Sequence, residues 1–131
     1  MDTPDICPPV QGNYRCHFEL TLQLIGGKWK LLAIYFLSLQ EVIRFSQLRR
    51  SLPEISERML VRQLRELEED GLVHRKVYGT VPPRVDYSLT PLGVSLVPIM
   101  ESLKAWGNMY EKSRSQTDPD HGDAKSAGSG L

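Results

Sequence analysis

Between Ser46 and Leu89 the chain runs through a helical stretch, a proline-bearing break, a second helical stretch and an abrupt change of hydrophobic period. Ser46 can cap a short helix over residues 47–51. Leu52-Pro53-Glu54-Ile55 cannot continue it, because the residue before a proline disfavours the α region. Ser56 then opens the clearest helix in the chain. Leu60, Leu64 and Leu67 fall on one face, Ile55 leads in and Gly71 stops it. After Gly71 the period becomes two, which predicts strands over 72–78 and 84–89 joined by the tip Gly79-Thr80-Val81-Pro82-Pro83. Helix, tight turn, helix and hairpin in this order outline a winged helix-turn-helix, mainly α with a small β-hairpin.

The flanks add helices. Leu20, Leu22, Leu24 and Ile25 mark a short one that ends at Gly26-Gly27. Trp29, Leu32, Ala33, Phe36 and Leu37 recur at helical spacing and predict a second over 28–39, with Trp29 in the core despite its neighbours Lys28 and Lys30. Residues 43–45 read as a brief extended piece. Thr90-Pro91 is a cap followed by proline at the first helical position. It opens a single long last helix with Leu92, Leu96, Ile99, Met100, Leu103, Trp106 and Tyr110 along one side, more apolar surface than one small domain needs. Residues 1–15 read as an extended arm, 16–112 as the domain with terminal dimerisation helices, and 113–131, rich in Ser, Gly and Asp, as a disordered tail.

The net charge is zero, with 16 basic and 16 acidic residues, which runs against the usual basic footprint of a nucleic-acid binder. The layout is polarised, however. From Arg44 to Asp86 nine basic residues (Arg44, Arg49, Arg50, Arg58, Arg62, Arg65, Arg75, Lys76 and Arg84) face seven acids, four of which cluster over 66–70. His17, His74 and His121 do not converge and no glycine-rich phosphate loop is present, so an enzyme is not expected. No apolar run approaches the length of a membrane span and the start is acidic and proline-rich, which points to a cytoplasmic protein without membrane partners. Cys7 and Cys16 are too few for a secreted disulfide scaffold. With His17 they could ligate zinc or copper, but they lack paired ligand spacing, so no metal or cofactor is expected.

Cys16 followed by Leu22-Gln-Leu-Ile-Gly-Gly-Lys-Trp-Lys30, then Arg44-Phe-Ser-Gln-Leu-Arg-Arg50 and Ile55-Ser-Glu-Arg-Met-Leu60, resembles the HxlR family of bacterial winged-helix regulators. Gln63 to Val73, Val81-Pro-Pro-Arg-Val-Asp-Tyr-Ser-Leu-Thr90 and Leu92-Gly93 continue the match, which covers about residues 16–110 without a gap. His17 departs from it, standing where the family usually has proline. The resemblance implies a MarR-like homodimer that binds double-stranded DNA near promoters, as repressor or activator. It also implies, from some relatives, a response to oxidants or electrophiles through the cysteine matching Cys16.

A helix-turn-helix lays the start of its second helix in the major groove, which points to Ser56, Glu57, Arg58, Arg62 and Gln63. Arg58 suits guanine and Gln63 adenine, while Ser56 suits a phosphate. Ser46, Arg49 and Arg50 lie on the preceding helix, with phosphate contact or helix-end stabilisation open for the two arginines. Lys76, Thr80 and Arg84 are wing candidates. Their competitors are plain: Arg58 and Arg62 pairing with Glu66, and Arg84 pairing across the strands with an acid such as Asp86. Leu20, Leu24, Leu103, Trp106, Met109 and Tyr110 are expected at a dimer interface, Trp106 nearer the core. Cys16, beside Arg15 and His17 at a helix start, has the setting of a reactive thiol or of a small buried hydrophobe, with Cys7 as a possible resolving partner. Two other functions stay open: a metal-responsive regulator, and a winged helix used only for protein contact.

Overall fold

The structure, a computed structural model, describes residues 14–117. They fall into a compact unit ending at Leu96 and a second unit beginning at Val97. The first holds α1 (His17–Ile25), α2 (Lys28–Ser38), β1 (Ile43–Arg44), α3 (Phe45–Ser51), α4 (Glu57–Glu69), β2 (Val73–Tyr78), β3 (Arg84–Leu89) and α5 (Pro91–Val94). The second holds α6 (Val97–Thr117). Among the described residues no helix is long and apolar enough to cross a membrane.

The α4 helix sits where its caps place it. Ser56 takes an extended conformation and its Oγ accepts from the Met59 N–H at 3.1 Å. At the other end Gly71 adopts φ +79, a left-handed conformation that a side chain would resist. Leu60, Leu64 and Leu67 are fully buried, as their spacing predicts. The α2 helix differs in its inner face. It buries Ala33, Ile34 and Leu37, while Trp29, Leu32 and Phe36 are only half-buried. The Trp29 ring lies 4.7 Å from Lys28 Nζ. Nearly every residue of this helix is apolar, so periodicity cannot choose between two adjacent stripes.

Four features depart from the sequence expectation. The α3 helix begins at Phe45 with Arg44 as its cap residue, so Ser46 lies inside the first turn and does not cap. The Arg44 N–H donates instead to Gln47 Oε1 at 3.1 Å. The extended piece also does more than connect. As β1 it pairs antiparallel with β3, Ile43 opposite Tyr87 and Arg44 opposite Asp86, so the hairpin becomes a three-stranded sheet of order β1-β3-β2. Finally, the long last helix is two helices. Pro98 has no N–H to give the Val94 carbonyl and its ring would clash there; a turn at Ser95–Leu96 separates α5 from α6. The α6 helix also runs on to Thr117, five residues into the stretch expected to be disordered.

Thr90 locks the junction between α5 and the sheet. Its hydroxyl accepts from the Gly93 N–H and donates to the Gly71 carbonyl, and its N–H donates to the Leu72 carbonyl. Gly93 is buried so closely that an added Cβ would stand 2.2 Å from the Leu72 oxygen. Gly93→Ala is therefore expected to destabilise the fold by about 1–3 kcal/mol through forced backbone movement. At Gly79 an added Cβ meets nothing within 4 Å, and the same substitution should stay within roughly 0.5 kcal/mol. Urea denaturation of both variants measures the difference.

Candidate nucleic-acid interface

Successive residues of an α-helix turn by about 100°, so Arg58, Arg62 and Arg65 of α4 form one stripe opposite the buried leucines. All three are exposed. Among the described residues no carboxylate lies within ion-pair distance of Arg58, whereas Arg62 Nε sits 3.5 Å from Glu66 Oε2. The ion pair weighed against DNA contact is thus present at Arg62 and, among the described residues, absent at Arg58. Glu66 is tied more tightly to Lys30 of α2, at 2.8 Å. Gln63 lies off the arginine stripe, half-buried, its Nε2 donating to Met59 Sδ at 3.6 Å. Glu57 opens α4 and is exposed, where a negative charge suits the helix start.

Arg49 and Arg50 both lie in the last turn of α3, Arg50 exposed and Arg49 half-buried. Helix α3 packs on β3 and α4 on β2, so both helices of the motif rest on the sheet that carries the wing.

Arg84 donates from Nε and Nη2 to the two oxygens of Asp86 at 3.1 and 3.0 Å, along its own strand and not across to the next. Its guanidinium carbon and Lys76 Nζ lie 4.9 and 5.0 Å from the Tyr78 ring, within cation–π range. In register Asp86 stands between Arg44 on β1 and Lys76 on β2. It is the one buried charged residue of the described chain, 4 % exposed. Asp86 thus holds Arg84 directly and feels the charge of Arg44, while Lys76 stands opposite it in register with its amine at the Tyr78 ring. At the tip the Thr80 hydroxyl donates to the Pro82 carbonyl at 2.9 Å, beside a cis Val81-Pro82 bond.

The Arg84 guanidinium holds the Asp86 carboxyl below the ordinary carboxylate range, and Lys30, then Arg62, does the same for Glu66. A carboxylate depressed in the folded state binds fewer protons there than in the unfolded chain. Its stabilisation is complete above the ordinary value of ~4 and is lost as the pH falls through the lower folded value. Thermal unfolding should therefore shift to lower temperature as pH drops from about 5 to about 3. Asp86→Asn should flatten part of that slope.

Sequence reasoning passed over Asp86 as a site residue and counted Arg44 and Arg65 only as charges. The Arg58, Arg62, Arg65 spacing was a readable signal. The Arg44–Asp86 register was not, because a two-residue strand has no pattern.

Cys16 is the cap residue of α1 and is disulfide-bonded. Cys7 lies outside the described residues. The Arg15 charge expected to act on Cys16 is shared with Glu19, which takes both the Arg15 N–H and its guanidinium. Leu20 and Leu24 of α1 are half-buried. On α6, Leu103, Trp106, Met109 and Tyr110 are all exposed, and the Trp106 and Tyr110 rings stack at 5.4 Å. Trp106 was expected nearer the core, yet it is as open as Met109 in the single chain, at 59 % each.

The family model described as HxlR-like helix-turn-helix matches residues 24–115. The chain belongs to this family. The HTH-type transcriptional regulator YkvN of Bacillus subtilis is 52% identical over 98 residues, 75% of this chain and 82% of YkvN. YybR of the same organism, an HTH-type transcriptional regulator, is 52% identical over 103 residues, 79% of each chain. Among solved structures, the redox regulator HypR in its oxidized form superimposes with a TM-score of 0.67 at 51% identity, over 72% of this chain and 96% of HypR. The reduced transcriptional regulator YodB of Bacillus subtilis gives 0.63 at 30% identity, over 80% of this chain and 94% of YodB. The chain is accordingly a winged helix-turn-helix transcriptional regulator of the DNA-binding HxlR-like family, and not an enzyme.

Proposed function

We propose that this regulator is a cytoplasmic homodimeric repressor that binds a two-fold operator and changes its affinity with the redox state of Cys16. The carrying observation is the α4 helix, with its N-cap at Ser56, its leucine face buried and its arginine face open. Arg58 reads a base edge in the major groove, and Ser56, Glu57, Arg62 and Gln63 complete the contact surface around it. Ser46, Arg49 and Arg50 meet the backbone from α3, and Lys76, Thr80 and Arg84 meet it from the wing.

One chain offers few phosphate contacts, so useful affinity calls for two copies. The exposed apolar residues of α6 have the right chemistry to meet a second copy, and Leu20 and Leu24 of α1, half-buried, are proposed as further contacts with it. In duplex titrations with DNA flanking its own gene, the complex should contain two chains, and its affinity should fall steeply with salt. A complex of one chain, or none, contradicts the reading.

The disulfide at Cys16 supports a thiol–disulfide input at the start of α1. HypR and YodB support it further, the one named as a redox regulator and the other solved in a reduced form. The sequence offers Cys7 as the intrachain partner. Cys16→Ser is expected to bind DNA with an affinity that no longer differs between oxidised and reduced samples, while the parent's differs. Equal affinities in the parent would remove the redox input from the account.

A further inference from the structure

Glu66 stands one turn after Arg62 on α4, beside the arginine stripe. A bare carboxylate there would repel a phosphate backbone and compete for Arg62. Its two oxygens go to two cations. Oε1 lies 2.8 Å from Lys30 Nζ of α2, and Oε2 lies 3.5 Å from Arg62 Nε. Lys30, ahead of Arg62, is the larger cause of the lowered Glu66 carboxyl. The two cations also differ in their surroundings. The Lys30 side chain is 12 % exposed, too enclosed to reach for a phosphate, while that of Arg62 is 71 % exposed.

Asp86 shows what a carboxylate of this chain does with an arginine that no lysine relieves. Among the described residues no lysine pairs with Asp86, and Arg84 closes on both of its oxygens at 3.1 and 3.0 Å. Arg62 stands further off from Glu66, whose nearer oxygen is already taken up by Lys30.

We propose that Lys30 is a positioning residue for DNA binding: by holding Glu66 from the α2 side, it keeps Arg62 open to the duplex without touching DNA itself. Once the lysine charge is gone, all of the Glu66 charge falls to Arg62. The guanidinium then folds back along its own helix, as Arg84 does along its strand, and engages the duplex only by breaking that pair. This inference rests on the DNA-binding reading, in which Arg62 meets the duplex.

The test is a fluorescence-anisotropy titration of the full chain with duplex DNA flanking its own gene, repeated over a salt series. Lys30→Met keeps the stem and removes the charge. It should weaken binding about two- to fivefold, the worth of an exposed ion pair, and lower the log–log salt slope by up to about one unit per chain. Lys30→Gln should read the same, and Lys30→Arg should restore both. In a Glu66→Gln chain, which has no carboxylate to hold, Lys30→Met should change neither affinity nor slope. Arg62→Ala should cost more in Glu66→Gln than in the parent, and least in Lys30→Met. Without DNA, the Arg62 Nε–H signal in NMR should exchange with water more slowly in Lys30→Met than in the parent or in Lys30→Arg.

A role of Lys30 in folding alone would lower the urea midpoint and leave the slope and the Arg62 signal in place, which overturns the inference. So does a loss that persists in the Glu66→Gln chain, since Lys30 would then meet DNA directly, or a failure of Lys30→Arg to restore binding. A parent that binds no duplex, or binds it no better than Arg62→Ala does, fails at the DNA-binding reading before any Lys30 variant is compared.

Discussion

Arg58→Ala should lose about 1–3 kcal/mol of specific DNA affinity, roughly 5- to 150-fold, and should discriminate less between operator and mismatched duplex. The size of the effect follows from the surroundings of this side chain. Arg58 is exposed on the first turn and a half of α4, opposite the leucine face, and has no competing carboxylate among the described residues. Arg62→Ala should cost less. Arg62 already spends part of its charge on Glu66 at 3.5 Å, and exposed pairs of that kind are worth about 0–1 kcal/mol, which must be given up before DNA is engaged. Fluorescence anisotropy against matched and mismatched duplexes measures both, and unchanged circular dichroism shows that neither loss is unfolding. If Arg62→Ala costs more than Arg58→Ala, the register of α4 in the groove is wrong.

Leu64→Ala should destabilise the chain by about 2–5 kcal/mol, the range for deleting a fully buried leucine and leaving part of the cavity behind. Leu64 is 0 % exposed between Leu60 and Leu67, and α4 packs on both α2 and β2, so few neighbours can collapse into the gap. Against a total stability of about 5–15 kcal/mol for a domain, this is a large share, and urea denaturation reads it directly. Its DNA phenotype should differ in kind from that of Arg58→Ala. Affinity should fall only with the folded fraction, with discrimination and salt dependence retained. A loss of discrimination without a loss of stability would place Leu64 in the interface and contradict its assignment to the core.

The parts of the fold legible in the sequence are those where local chemistry and tertiary packing agree. The α4 helix has a cap that works as a cap, three leucines at one spacing and a glycine that takes positive φ. The wing has two alternating strands and a proline-stiffened tip, and both strands lie where the period of two places them.

The rest was hidden for identifiable reasons. The inner stripe of α2 is ambiguous because the helix is apolar all round, and Ala33, Ile34 and Leu37 won over Trp29, Leu32 and Phe36 only through tertiary contacts. The β1 strand is two residues long, so nothing local marks it as a partner of β3. The break between α5 and α6 was readable from Pro98 but was outweighed by a continuous apolar spacing across it.

The candidate site divides in the same way. The arginines of α4 and the wing were visible as types at positions. The place of Asp86, bound by Arg84 and opposite both Arg44 and Lys76, depends on strand register and on burial, neither of which a charge count contains.

The central claim is that two copies of this chain place their α4 helices in successive major grooves of one operator. Selection of bound duplexes from a random library tests it most directly. The account predicts an enriched two-fold symmetric site whose half-sites are centred about one helical turn, 10–10.5 base pairs, or a multiple of it apart. The same selection with Arg58→Ala should lose the preference at one position in each half-site. A library that yields no enriched motif, or a single half-site without symmetry, would contradict it.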